Sequence, residues 1–166
     1  MYRHINDFIN DWKYETESTI KVFQYIDNSV YDEVVHEHVR SLVRLGWHLT
    51  QTITEMGYRS GIFSEDLLES RLIPANISEL TDLYIQYSEE LAKTLPSKWT
   101  DSSLLETVEM YGEQWEKGKV LSILIHHQIH HRGQMTVIMR ILGLRVPGIY
   151  GPSKEEWAEF GMTAPQ

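Results

Sequence analysis

The 166-residue chain contains no cysteine. Disulfides, thiolate metal sites, iron–sulfur clusters and cysteine nucleophiles are therefore excluded. Any metal must be held by His, Asp, Glu or water, and any thiol chemistry needs a thiol from outside. Positive charge is also scarce. Fifteen Lys and Arg stand against 24 Asp and Glu, a formal net charge of −9. No Lys/Arg cluster offers the basic surface that phosphate contacts require, so nucleic acid is not the expected partner. Long apolar runs are missing, and none approaches a membrane span. The N-terminus carries Asp7 and Asp11 and has no apolar core of a signal peptide. The expectation is a cytoplasmic protein with no membrane partner. Strand signals are few.

What is present is an ordinary globular composition, 42% hydrophobic and 23% charged, in a length that suits one domain over 1–166. Ile5, Phe8, Ile9, Trp12, Thr16, Thr19, Phe23 and Ile26 recur at three and four and predict a first amphipathic helix. Asp27-Asn28-Ser29 breaks it. A second helix is predicted from Glu37 to Met56, with Leu42, Leu45, Leu49, Ile53 and Met56 as its stripe and a stop near Gly57. His48 lies on the shoulder of that stripe, in line with Ser41, Thr52 and Glu55. Periodicity alone makes it a half-exposed histidine at a helix interface. His36 and His38 read as surface residues.

Residues 57–74 read as a long connection in which Ser64 to Glu69 could form one turn of helix. Asn76 as N-cap with Glu79 three residues on starts a third helix, which Pro96 ends. Leu105 to Tyr111 partly alternates and Gly112 follows, which suits irregular structure or a small hairpin. Glu106, Glu109, Glu113 and Glu116 there read as a solvated face. A fourth helix spans Val120 to Leu142, closed by Gly143 at C′ and by Pro147. Ser153 and Glu156 form a capping box for a short last helix over Lys154 to Phe160. The fold class is all-α: a four-helix bundle with long inter-helix connections and a short C-terminal helix.

The fourth helix holds four of the eight histidines, His126, His127, His130 and His131. At about 100° per residue, with His131 at zero, His127 falls within about 40° of it along with Val120, Leu124, Met135, Ile138 and Leu142. His130 lies about 100° away and His126 about 140° away, towards the rim. An i, i+4 histidine pair in mid-stripe is either hydrogen-bonded packing or one edge of a metal site. Two neutral imidazoles need buried partners and two cations repel, whereas a metal resolves both problems. Gln128 stands where a His-Glu-x-x-His protease has its general base, and an amide cannot take that proton. Gly133, inside a helix, calls for a close helix crossing to offset its cost.

Two segments, Leu45-Gly-Trp-His-Leu-Thr-Gln-Thr-Ile-Thr-Glu-Met56 and His127-Gln-Ile-His-His-Arg-Gly-Gln134, resemble the DinB/YfiT-like family of four-helix-bundle metalloenzymes. The ending from Val146 to Trp157 is similar too. The resemblance implies a divalent metal held by one histidine of the second helix and a His-x3-His pair of the fourth, here His48, His127 and His131. It supplies His48, which periodicity did not. Three imidazoles suit Zn or Ni, and Fe or Cu as well. Glu55 is a candidate base or an acceptor for a ligand imidazole, or simply a surface ion-pairing residue. The implied function is a transferase or isomerase that activates a low-molecular-weight thiol, such as bacillithiol or mycothiol, toward a small-molecule substrate. The alternative is a non-catalytic or unknown-substrate metal-binding protein of the stress response; the remaining reading is a metal-free bundle. A homodimer is the family-level expectation.

Overall fold

A computed structural model describes residues 1–165. It is built on four helices: α1 (Ile5–Phe23), α2 (Leu42–Arg59), α3 (Ile77–Lys98) and α4 (Lys117–Ile141). A two-stranded antiparallel hairpin, β1 (Thr107–Met110) and β2 (Glu113–Glu116), precedes α4. The helices α1 and α2 each pack on both α3 and α4. Consequently α1 lies diagonally across from α2, and α3 across from α4. The chain must cross the bundle end twice between consecutive helices, which requires the long connections over 24–41 and 99–116. The arrangement also lays α2 against α4, the pair that carries the candidate ligands.

Element boundaries follow local chemistry. The last turn of α1 tightens rather than running on to Ile26: Tyr25 N–H bonds the Val22 carbonyl and Ile26 N–H that of Phe23, both i to i+3. Helix α2 starts at Leu42, five residues later than the sequence pattern predicts, and runs on to Arg59. Residues 36–40 are all exposed and carry no apolar stripe, whereas Ser41 precedes one and takes the extended N-cap geometry. Asn76 caps α3 as expected, its Oδ1 accepting from Glu79 N–H at 2.9 Å. Pro96 does not end that helix, which continues to Lys98. In the last turn a proline costs a single backbone bond, and Trp99 N–H still reaches the Leu95 carbonyl. Residues 64–69 form turns rather than helix, organised by Asp66, which accepts from Thr54 Oγ1 and Leu68 N–H.

The hairpin turns through Tyr111 and Gly112, both with positive φ (55° and 83°), the two-residue turn that matches strand twist. Gly143, at φ 76°, closes α4: its N–H bonds the Arg140 carbonyl while Leu144 N–H reaches Met139. The C-terminal segment forms only a 3-10 turn, Trp157–Phe160, in place of the expected α-helix. The Glu156 carboxylate does accept from Ser153 N–H, but it also accepts from Gly148 N–H, tying the turn to the loop before it. No helix among the described residues is long and apolar enough to cross a membrane.

Two glycines of α4 behave oppositely. A Cβ at Gly118 would meet the Tyr2 backbone carbonyl, so the N-terminal segment closes over that position. A Cβ at Gly133 would meet nothing within 4 Å. The close helix crossing expected at Gly133 is therefore absent, and nothing within the chain explains that glycine. Gly118→Ala is expected to destabilise the protein by about 1–3 kcal/mol. Gly133→Ala is expected to stabilise it by about 1 kcal/mol, as removal of an exposed mid-helix glycine does. Urea unfolding of both variants checks the pair.

Candidate metal centre

The contact of α2 with α4 brings His48 over the i, i+4 pair of His127 and His131. One ring nitrogen from each lies within 4.8 Å of the other two. Ring centroids are 4.7 Å apart for His48 and His127, 4.7 Å for His48 and His131, and 4.4 Å for His127 and His131. His126 and His130 are exposed and outside this group. His36 and His38 are exposed on the connection ahead of α2.

The donor set fits a divalent ion. His127 Nε2 and His48 Nε2 are 3.0 Å apart. Two nitrogens each about 2 Å from one ion, at an angle between square and tetrahedral, would be separated by about 3 Å. Burial pushes the His48 pKa down to about 4 and that of His127 down to about 3, with the neighbouring His131 adding to both. Burial also lowers His131, against the raising effect of its bond to Gln134. All three rings are thus neutral at pH 7, the protonation state of a metal ligand. The three could hold a metal ion.

The residues around the triad hold it in place. Gln134 Oε1 lies 2.7 Å from His131 Nδ1, and its amide nitrogen lies 3.2 Å from His130 Nε2. An acceptor on Nδ1 puts the proton there and leaves the Nε2 lone pair free, the usual device for orienting a ligand imidazole. His127 Nδ1 is buried with no partner. Gln128, fully buried, accepts from the Tyr84 hydroxyl at 3.0 Å and donates to the Leu49 carbonyl at 3.3 Å. It ties α4 to α3 and α2 next to His127. Glu55 turns away: Arg59 Nε donates to it at 2.9 Å, and no imidazole bonds it.

Arg132 faces the opposite neighbour. It is 2% exposed and donates to the Glu15 carboxylate, the Glu15 carbonyl and Thr19 Oγ1 on α1. The Tyr150 hydroxyl joins this cluster, 2.6 Å from Arg132 and 2.8 Å from both Glu15 oxygens. Sequence reasoning missed Glu15. The signal was present: Phe8, Trp12, Glu15 and Thr19 form a continuous stripe, and a carboxylate in it must find a buried partner.

Two predictions follow from these environments. Arg132→Ala leaves Glu15 buried without its cation and is expected to cost about 3–5 kcal/mol, against about 1 kcal/mol for Tyr150→Phe; chemical denaturation of both measures the difference. The triad makes the metal-free protein acid-sensitive. In the unfolded chain these rings take up protons near pH 6.5, whereas in the folded protein His48 does so only near 4 and His127 near 3, and burial lowers His131 as well. Between those values the unfolded state binds more protons, so stability is lost as pH falls. The Tm of metal-free protein should drop from pH 6.5 towards about 4, less steeply in His127→Gln; circular dichroism at several pH values compares the slopes, and equal slopes contradict it.

The DinB family model matches residues 1–165. The protein YrdA of Bacillus subtilis (strain 168) is 38% identical over 170 residues, covering 100% of this chain and 99% of that one. The crystal structure of a DinB-like protein from Bacillus cereus ATCC 10987 superposes with a TM-score of 0.80 at 32% identity, covering 90% of this chain and all of that one. A second DinB-like protein, YjoA of Bacillus subtilis, gives 0.69 at 18% identity over 89% of this chain and 99% of that one, a likeness of fold. The chain belongs to the DinB family.

Proposed function

We propose that the protein binds one divalent metal ion through His48, His127 and His131 and uses it to activate a low-molecular-weight thiol in a transfer or isomerisation reaction. The observation that carries this reading is the convergence of three neutral imidazoles from two helices with no carboxylate in the group. Three protein donors leave positions open for exchangeable ligands, as in catalytic rather than structural sites. A divalent ion held there would supply Lewis acidity, lowering the pKa of a bound thiol or water.

The surrounding residues favour a nucleophile that arrives as its own acid. Gln128 cannot accept a proton, and both ends of its amide are engaged by Tyr84 and Leu49. Glu55 is committed to Arg59. Hydrolysis by a carboxylate-assisted water has no base among these groups. A thiol needs none, because its proton leaves readily to solvent once the sulfur is ligated. The chain has no cysteine to serve, so the thiol comes from outside. His131 is held through its Nδ1 by Gln134, which leaves its Nε2 as the free nitrogen. Zn and Ni suit such a donor set, as do Fe and Cu.

The expected result of elemental analysis after reconstitution is one metal per chain. His48→Ala, His127→Ala and His131→Ala should each abolish binding, and His126→Ala should leave it intact. The metal-loaded protein should consume monochlorobimane only when a thiol such as bacillithiol is supplied. A rate equal to that of metal-free protein rejects the thiol reaction. Stoichiometric metal without any thiol-dependent rate leaves metal binding standing alone.

A further inference from the structure

A groove of about 610 Å³ opens beside the triad, with His131 and Gln134 in its wall. From His131 it follows α4 to Ile141, ten residues on and so about 15 Å along the axis. Its long wall is apolar: Val137, Ile138 and Ile141 on α4 face Val35 and Val39 from the connection ahead of α2. Val137 is 57% exposed and Ile141 63% exposed, so the apolar surface is available rather than packed away.

The charge along the groove is unusual for this chain. Among 24 acidic residues in the protein, none lines it. Its permanent charge is Arg40. Arg59, Arg71, Arg132, Arg140 and Arg145 all pair with carboxylates. Arg40, like Arg3 and Arg44, has no carboxylate partner among the described residues. It lines the same groove as His131. An unpaired guanidinium in the wall of an apolar trough, in a protein of net charge −9, selects a ligand with one anionic end and one apolar end.

We propose that this groove is the substrate subsite of the triad and takes an amphipathic carboxylate of medium chain length, its anionic head toward Arg40 and its apolar chain along Val137, Ile138 and Ile141. The inference rests on the triad being the reactive centre, but binding in the groove does not require metal. Head recognition is charge-assisted hydrogen bonding by the planar guanidinium, which a neutral or cationic head cannot reproduce. The chain is held by burial of apolar surface, so a short acid loses most of its affinity.

Isothermal titration calorimetry with decanoate, decylamine and butyrate, on metal-loaded and metal-free protein, tests this. Decanoate should bind one to one, and both decylamine and butyrate about tenfold or more weaker. Arg40→Gln should weaken decanoate by about tenfold, and Val137→Asp should remove its binding, with metal stoichiometry unchanged in both. Circular dichroism confirms that the two variants fold. Equal affinity for decanoate and decylamine, or no binding of decanoate by a wild-type protein that holds its metal, overturns the proposal. So does wild-type protein that sediments as a dimer, fails to bind decanoate and becomes monomeric on Val137→Asp, because the apolar wall is then a contact between copies. Decanoate binding that depends on Arg40 in a protein that takes up no metal supports the groove and refutes the metal reading instead.

Discussion

The rotational setting of α4 is the constraint on which the remainder depends. This helix touches α1 on one side and α2 on the other, and side chains within six consecutive positions address both. His127 and His131 face His48 on α2, Gln128 bonds α2 and α3, and Arg132 enters the buried cluster with Glu15 on α1. A rotation of one residue position, about 100°, would expose the arginine and turn both imidazoles away from His48. Buried polar partners are strict about such errors because an unpaired buried charge is costly, whereas an apolar face tolerates sliding. The ion pair and the glutamine thus fix the geometry that the histidines use.

The diagonal placement of consecutive helices explains the rest of the architecture. With α1 across from α2 and α3 across from α4, no tight loop can join either pair. The first crossing supplies Val35, Val39 and Arg40 beside the triad, and the second carries the hairpin. The C-terminal segment then straps back over α1, where the Tyr14 hydroxyl bonds the Ile149 carbonyl, Lys21 bonds that of Gly148 and Tyr150 reaches Glu15. Connections that serve the topology therefore also build the surroundings of the site.

Much of this was legible from residue order. The Asn76 cap, the Gly143 stop and the four amphipathic segments are local signals, and each acts through its own backbone. The facing argument for the fourth helix needed only the helical period, and the structure puts His127 and His131 together while exposing His126 and His130. Misreadings cluster where a local signal was weak or overridden. The sequence pattern starts α2 too early because the residues before Ser41 show no periodicity that would reject a helix. Pro96 predicts a stop, yet its position in the last turn leaves only one bond to lose. Gly133 predicts a close helix crossing that its open surroundings do not support.

The sequence by itself determined the class of donor and the class of fold. Without cysteine, only imidazole, carboxylate or water can hold a metal, and period-3.6 stripes can bury their apolar faces only against one another. Two of the three imidazoles also followed from period, because i and i+4 share a face whatever surrounds them. The partner of that pair did not follow from period: only the family resemblance named His48, and the tertiary structure is what brings it there. His48 stands 79 residues before His127, and nothing in its own helix distinguishes it from an interface histidine. Its place depends on which helices are neighbours, a property of the whole bundle. The same holds for Glu15 and Arg132, 117 residues apart, and for the groove at Arg40, because each exists only where distant segments meet.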